Sequence, residues 1–163
     1  MKHAKIKKSI ILLHGFFPKS FFVTLKKCVK KGDEVFILEG RPSLKSSESL
    51  IKGLGAVGIT PTVISDNMAG FLFFQGWVKE VWVSYQLSDQ NGALCPVGAL
   101  ILGVLAKQHN VTLCAFKSDV KMKLFGQAKE LLSFAGKRIA PAGVNAYTPL
   151  VEWLPKKYIK GIY

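Results

Sequence analysis

The chain has 163 residues, 49% hydrophobic and 20% charged; that is enough to bury a core, too apolar for a disordered segment, and too short for two full-sized domains. Its formal charge of +13, from 23 basic and 10 acidic side chains, attracts nucleic acid and phosphorylated ligands alike. Only Arg41 and Arg138 are arginine, and base readout leans on arginine, so the charge points to non-specific contact with nucleic acid rather than recognition.

The three cysteines, Cys28, Cys95 and Cys114, are odd in number and far apart. They indicate neither a disulfide framework nor a metal site, and they suit a reducing cytoplasm. No apolar run reaches the ~20 residues that a bilayer needs, so no membrane span is expected.

The basic start MKHAKIKK leads into SIILL. That apolar run is short and His14 interrupts it, so Ser9–Leu13 is expected as a buried first strand and not as the core of a leader peptide. Lys19–Lys31 follows at helical spacing, with Phe21, Phe22, Leu25, Cys28 and Val29 on one face and Gly32 as the stop. Glu34–Leu38 reads as the second strand, Ser46–Leu54 as a helix and Thr60–Ser65 as the third strand. Asn67–Gln75 reads as a helix ended by Gly76, and Val81–Val83 as the fourth strand. Pro96 is well placed to open a long apolar helix to His109. Val111–Phe116 reads as the fifth strand and Met122–Phe134 as a last helix, before a proline-containing tail after Gly136. Five alternations of strand and helix predict an α/β fold, a parallel sheet with helices on both faces.

In such sheets ligands sit outside the carboxyl ends of the strands. The first strand delivers His14, Gly15 and Lys19 there, and the second Glu39, Gly40 and Arg41. The third delivers Asp66 and Asn67, the fourth Ser84, Tyr85, Gln86, Asn91 and Gly92, and the fifth Lys117, Ser118, Asp119 and Lys121. Each has a plainer use. His14 can bond backbone carbonyls at a strand end. Glu39 and Arg41 can pair with each other or with neighbouring loops. Asp66–Asn67 suits a helix N-cap, and Asn91–Gly92 is a turn signal. Cys95, standing before the expected helix at Pro96, would have its thiol pKa lowered by the helix dipole and become a candidate nucleophile.

Taken together, the segments ILLHGF, EGRP (Glu39–Pro42), ISDNMAG (Ile64–Gly70), NG (Asn91–Gly92), GALILGVLAKQHNV, RIAPAGV and TPLVEWLPKKYI resemble one family in order and spacing. This is the C-terminal Rossmann-like domain shared by the alpha, beta and delta subunits of translation initiation factor 2B, 5-methylthioribose-1-phosphate isomerase and ribose-1,5-bisphosphate isomerase. The resemblance covers nearly the whole chain and implies a single Rossmann-like domain over 1–163, without the family's N-terminal helical domain. It implies that His14, Gly15, Lys19, Glu39, Arg41, Asp66, Asn67, Gln86, Asn91 and Lys121 face a phosphorylated small molecule.

It also exposes departures. The isomerases' cysteine falls on Gly15, and the aspartate of their Gly-Ala-Asp falls on Gln86. Their Asn-Lys phosphate pair is replaced by Cys95–Pro96, and the Thr of Glu-Thr-Arg-Pro is Gly40. Shifting a carbonyl along a sugar phosphate needs groups that move protons, each worth ~10²–10⁴-fold. Gln86 and Gly15 cannot move them. The expected function is therefore a non-catalytic protein that binds a sugar phosphate or nucleotide, or serves as an assembly module. It is expected to need no cofactor or metal and to form a homodimer or higher oligomer through its apolar excess, Trp77, Trp82 and Trp153 included. The alternative is an isomerase that uses Cys95, His14 or Asp89 in new roles. A third reading is contact with RNA or a translation component through lysine charge alone.

Overall fold

A computed structural model describes residues 8–163; most of the basic start, read above against a leader peptide, lies outside the described residues. The sheet begins with β1 (Ser9–His14) and continues with β2 (Asp33–Leu38) and β3 (Thr62–Ile64). Between them run α1 (Lys19–Cys28) and α2 (Lys45–Ala56), and after β3 come a 3₁₀ turn (Asp66–Met68) and α3 (Ala69–Phe74). Next are β4 (Val78–Tyr85), a hairpin of β5 (Leu87–Asp89) and β6 (Gly92–Pro96), α4 (Ala99–Gln108) and β7 (Thr112–Lys117). The chain closes with α5 (Ala128–Leu131), the two-residue strands β8 (Ser133–Phe134) and β9 (Lys137–Arg138), β10 (Val151–Pro155), a 3₁₀ turn (Lys156–Tyr158) and β11 (Gly161–Ile162).

Six strands form one parallel sheet in the order β11-β7-β4-β1-β2-β3. β1 is apolar from Ile10 to Leu13 because both of its faces are covered there. Ile10 and Leu12 join the core under α3 and α4, whereas Ile11 and Leu13 join the core under α1 and α2. This is a doubly wound, Rossmann-like arrangement, and its strand order reverses between β1 and β4, the place where such sheets leave a crevice. At the opposite end of the strands, Asp33 accepts hydrogen bonds from Ser9 Oγ at 2.6 Å and Lys79 Nζ at 2.8 Å, tying β1, β2 and β4 together. Among the described residues, no helix is long and apolar enough to cross a membrane.

Several expected elements are corrected. Pro96 does not open a helix; it ends β6, paired with Val151 of β10 in a second, antiparallel sheet ordered β10-β6-β5. Gly98, at φ +102°, turns the chain into α4 instead. The helix expected over Met122–Phe134 is reduced to Ala128–Leu131. Backbone bonds to distant partners hold the rest open: Ser118 N–H donates to the Tyr85 carbonyl at 2.7 Å, and Gly126 N–H to that of Thr148 at 2.8 Å. The fourth strand is longer than its apolar centre, because Val78, Glu80, Ser84 and Tyr85 also pair within the sheet. The proline-containing tail after Gly136, for which no element was expected, contributes β10 and β11. Of the tryptophans, Trp82 is core and Trp77 packs half-buried against the core; the exposed apolar surface includes Phe71 and Phe74 of α3 instead.

Candidate functional site

β1 and β4 end side by side at the reversal, and their last residues interlock. Gly15 has φ +112°, and a Cβ there would collide with Ser84 Oγ and stand 2.9 Å from Pro96 Cγ. Ser84 is almost fully buried and accepts a hydrogen bond from Phe16 N–H at 2.8 Å. The place where the resemblance puts a thiol is therefore filled from the neighbouring strand, a partner that sequence reading missed.

His14 is 2% exposed, and its Nε2 lies 2.8 Å from the Val97 carbonyl oxygen. A carbonyl only accepts, so Nε2 carries the proton and Nδ1 is a bare acceptor. Burial holds the imidazole pKa below its ordinary value of 6.5, against the upward pull of the Val97 carbonyl and the Asp66 and Glu152 carboxylates. His14 therefore makes the carbonyl contact weighed from sequence and keeps a second, unused nitrogen.

Asp66 caps neither its own 3₁₀ turn nor α3. Its two oxygens accept from Gly40 N–H at 2.9 Å and Arg41 N–H at 2.8 Å, fastening the loop after β2 to the end of β3. Glu39 and Arg41 form no ion pair among the described residues. The Arg41 guanidinium instead reaches the carbonyls of Leu131 and Ser133, at 3.4 and 3.3 Å, and lies over Phe134. Gln86 is half-buried, and its Oε1 accepts from Met122 N–H at 2.8 Å. A glutamine there clamps the loop after β7 to the end of β4.

The expected thiol chemistry at Cys95 is corrected. Cys95 sits inside β6, fully buried, and burial, with help from the Glu152 charge, pushes its thiol up to about 12. The N-terminus of α4 is served by Glu152 of β10, whose Oε1 accepts from Gly98 N–H at 2.7 Å and Leu100 N–H at 2.8 Å. Nothing in the local sequence of α4 signals this cap, because the carboxylate arrives from more than fifty positions away.

Three neighbouring hollows lie along this edge. His14, Gly40, Arg41, Ser43, Ser46 and Val97 help to line a small one of about 20 Å³. It shares Phe16, Ser43, Met122 and Leu150 with a cleft of about 340 Å³ that carries Lys45, Lys121, Lys123 and Glu130 on its wall. Lys121 also borders a third hollow, of about 250 Å³, beside Gln86, Ser118 and Asp119. The structure thus gathers His14, Arg41, Gln86 and Lys121 around one rim. Lys19, exposed at the first turn of α1, lines none of these hollows, nor does Asn67, which accepts from Ser65 Oγ at 3.1 Å. Asn91 sits in the β5–β6 hairpin, where Asp89 Oδ1 accepts from the N–H groups of Asn91 and Gly92. Lys45 and Lys123 were not singled out from sequence; in a lysine-rich chain, only the fold picks out the ones that converge.

A parallel sheet reversing at β1/β4, with this edge, is shared by a known class. The chain belongs to the initiation factor 2 subunit family, whose model matches residues 3–163. Among its relatives, a methylthioribose-1-phosphate isomerase of Thermus thermophilus is 33% identical over 140 residues, covering 78% of this chain and 42% of that protein. The enzyme of the same name from Syntrophus aciditrophicus is 35% identical over 141 residues, covering 79% and 38%. The chain thus spans about two-fifths of the length of these relatives. Among solved structures, the delta subunit of translation initiation factor eIF-2B from A. fulgidus superposes with a TM-score of 0.79 at 20% identity, covering 96% of this chain and 52% of that one. The 5-methylthioribose 1-phosphate isomerase of Pyrococcus horikoshii OT3 does so at 0.77 and 24%, covering 96% and 49%. At these identities the two structures establish the fold.

Proposed function

We propose that this chain supplies the sugar-phosphate-holding domain of an aldose–ketose isomerase. The observation that carries the reading is the cleft at the sheet reversal, where Lys45, Lys121 and Lys123 stand beside a pocket floored by neutral His14. Ammonium groups converging on one cleft suit a phosphate ester, and the relatives that match most of the chain carry the name of a sugar-phosphate isomerase.

A second reading, binding without turnover, is favoured by a specific observation. Two of the three groups weighed as replacements for the missing thiol and carboxylate, Cys95 and Asp89, are already committed. Cys95 is buried with its pKa pushed up to about 12, and Asp89 bonds the amides of its own turn. Gln86 donates or accepts hydrogen bonds but moves no proton at useful cost.

One experiment separates the two. Purified chain is titrated with methylthioribose 1-phosphate by calorimetry, and the same mixture is followed by proton NMR for a ketose product. Product formed faster than in buffer supports the isomerase reading. Heat of binding without product moves the assignment to the second reading. Neither signal overturns both.

A further inference from the structure

We infer that His14 Nδ1 accepts a hydrogen bond from a hydroxyl group of the bound sugar phosphate, while Lys45, Lys121 and Lys123 take its phosphate. The inference rests on the sugar-phosphate reading above and names what the small hollow is for. His14 Nδ1 is a buried side-chain atom with no hydrogen-bond partner among the described residues, and no other buried side-chain nitrogen or oxygen there lacks one. Folded proteins satisfy nearly all such groups, so one left bare on a residue that lines a hollow points to a missing partner. Nε2 is committed to the Val97 carbonyl, which fixes Nδ1 as an acceptor and makes the missing partner a donor.

Size narrows the donor. The hollow beside the ring, about 20 Å³, has room for one group the size of a water oxygen. It is lined by Gly40, Ser46, Pro96 and Val97 and shares Phe16, Ser43, Met122 and Leu150 with the lysine-lined cleft beside it. A molecule that fills both therefore carries a hydroxyl at one end and an anionic head at the other. A carbonyl or carboxylate oxygen at the small end would set lone pair against lone pair, so the pocket selects O–H over C=O. The carboxylates of Asp66 and Glu152, both held by backbone N–H groups, are not free to supply that donor. Neutrality of the ring, enforced by its burial, keeps the lone pair available at neutral pH.

The test uses the whole chain labelled with ¹⁵N at histidine and lysine, titrated in parallel with methylthioribose 1-phosphate and with inorganic phosphate. The sugar phosphate is expected to shift the His14 Nδ1 resonance upfield, as a bare lone pair gains a hydrogen bond, together with the lysine signals of the cleft. Inorganic phosphate is expected to move the lysine signals alone. Lys45→Ala should weaken both probes severalfold, and an analogue lacking the contacted hydroxyl should bind about tenfold more weakly. If the sugar phosphate moves the lysines and leaves Nδ1 where it was, the hydroxyl assignment is overturned and the sugar-phosphate reading stands. If inorganic phosphate moves Nδ1 as far as the sugar phosphate does, the assignment is likewise overturned. If neither probe moves any signal, both readings fall together.

Discussion

At the scale of single residues, the informative pair is Gly15 and Ser84. Gly15 holds a left-handed backbone, and Ser84 fills the space where its Cβ would stand. A side chain at 15 thus meets two penalties, the φ cost of about 1–2 kcal/mol and overpacking of about 1–3 kcal/mol. Gly15→Ala should destabilise the chain by ~3 kcal/mol in urea denaturation. Ser84→Gly alone loses the bond from Phe16 N–H, about 1 kcal/mol. The double variant should lose at least ~1 kcal/mol less than the sum, because the second change removes the collision of the first; strictly additive losses would refute the steric account. The same pair shows what sequence could reveal of the site. His14, Arg41, Asp66 and Gln86 were legible as strand-tip residues, because apolar runs mark where strands end. Their partners were not. Ser84 meets Phe16 across 68 positions and Gln86 meets Met122 across 36, contacts that no local pattern records.

At the scale of elements, the strands β1, β2, β3, β4 and β7 were legible, whereas the hairpin β5–β6 and the late strands β10 and β11 were not. β1 from Ile10 and β2 from Val35 are buried on both faces, and β7 buries Leu113 and Ala115 with Cys114 and Phe116 half-buried, so apolar runs announce them. Pro96 looked like a helix start because helix-start rules weigh local preference, whereas its strand role is set by pairing with β10, fifty-odd residues later. The same distant element completes α4. Gly98 stands at the N-cap position without a side chain to offer, and Glu152 of β10 supplies the acceptor for two of the orphan N–H groups. Glu152→Ala should therefore cost about 1–2 kcal/mol in chemical denaturation, from the lost cap and the lost charge at the positive helix end. Glu152→Gln, which retains an acceptor, should cost less. Hydrogen exchange localises the effect: the amides of Gly98 and Leu100 should lose protection ahead of those in β1. Equal loss across the chain would mean that Glu152 matters for packing of β10 and not for the helix start.

At the scale of the whole molecule, acid should undo the fold in two separated steps, each traceable to one group. An unfolded histidine takes its proton near 6.5, whereas His14 in the fold is held lower by burial, which outweighs the pull of the facing Asp66 and Glu152 carboxylates. Below pH 6.5 the unfolded chain therefore binds more protons than the folded one, and stability falls as the pH falls. Asp33 acts further down. Burial opposes its charge, but Lys79, Ser9 and the Lys30 amide prevail and bring its pKa from 3.8 to about 2. Its contribution is whole above pH 3.8 and disappears on approach to pH 2, so it leaves the first step untouched. The slope that a single group can impose is at most about 1.4 kcal/mol per pH unit. Urea midpoints taken at about pH 7.5 and 5.5 should drop for the wild-type chain and stay nearly level for His14→Gln, whose amide still donates to Val97 but does not titrate. If His14→Gln loses as much as the wild type over that interval, the first step belongs to repulsion within a chain of net charge +13 and not to the buried imidazole.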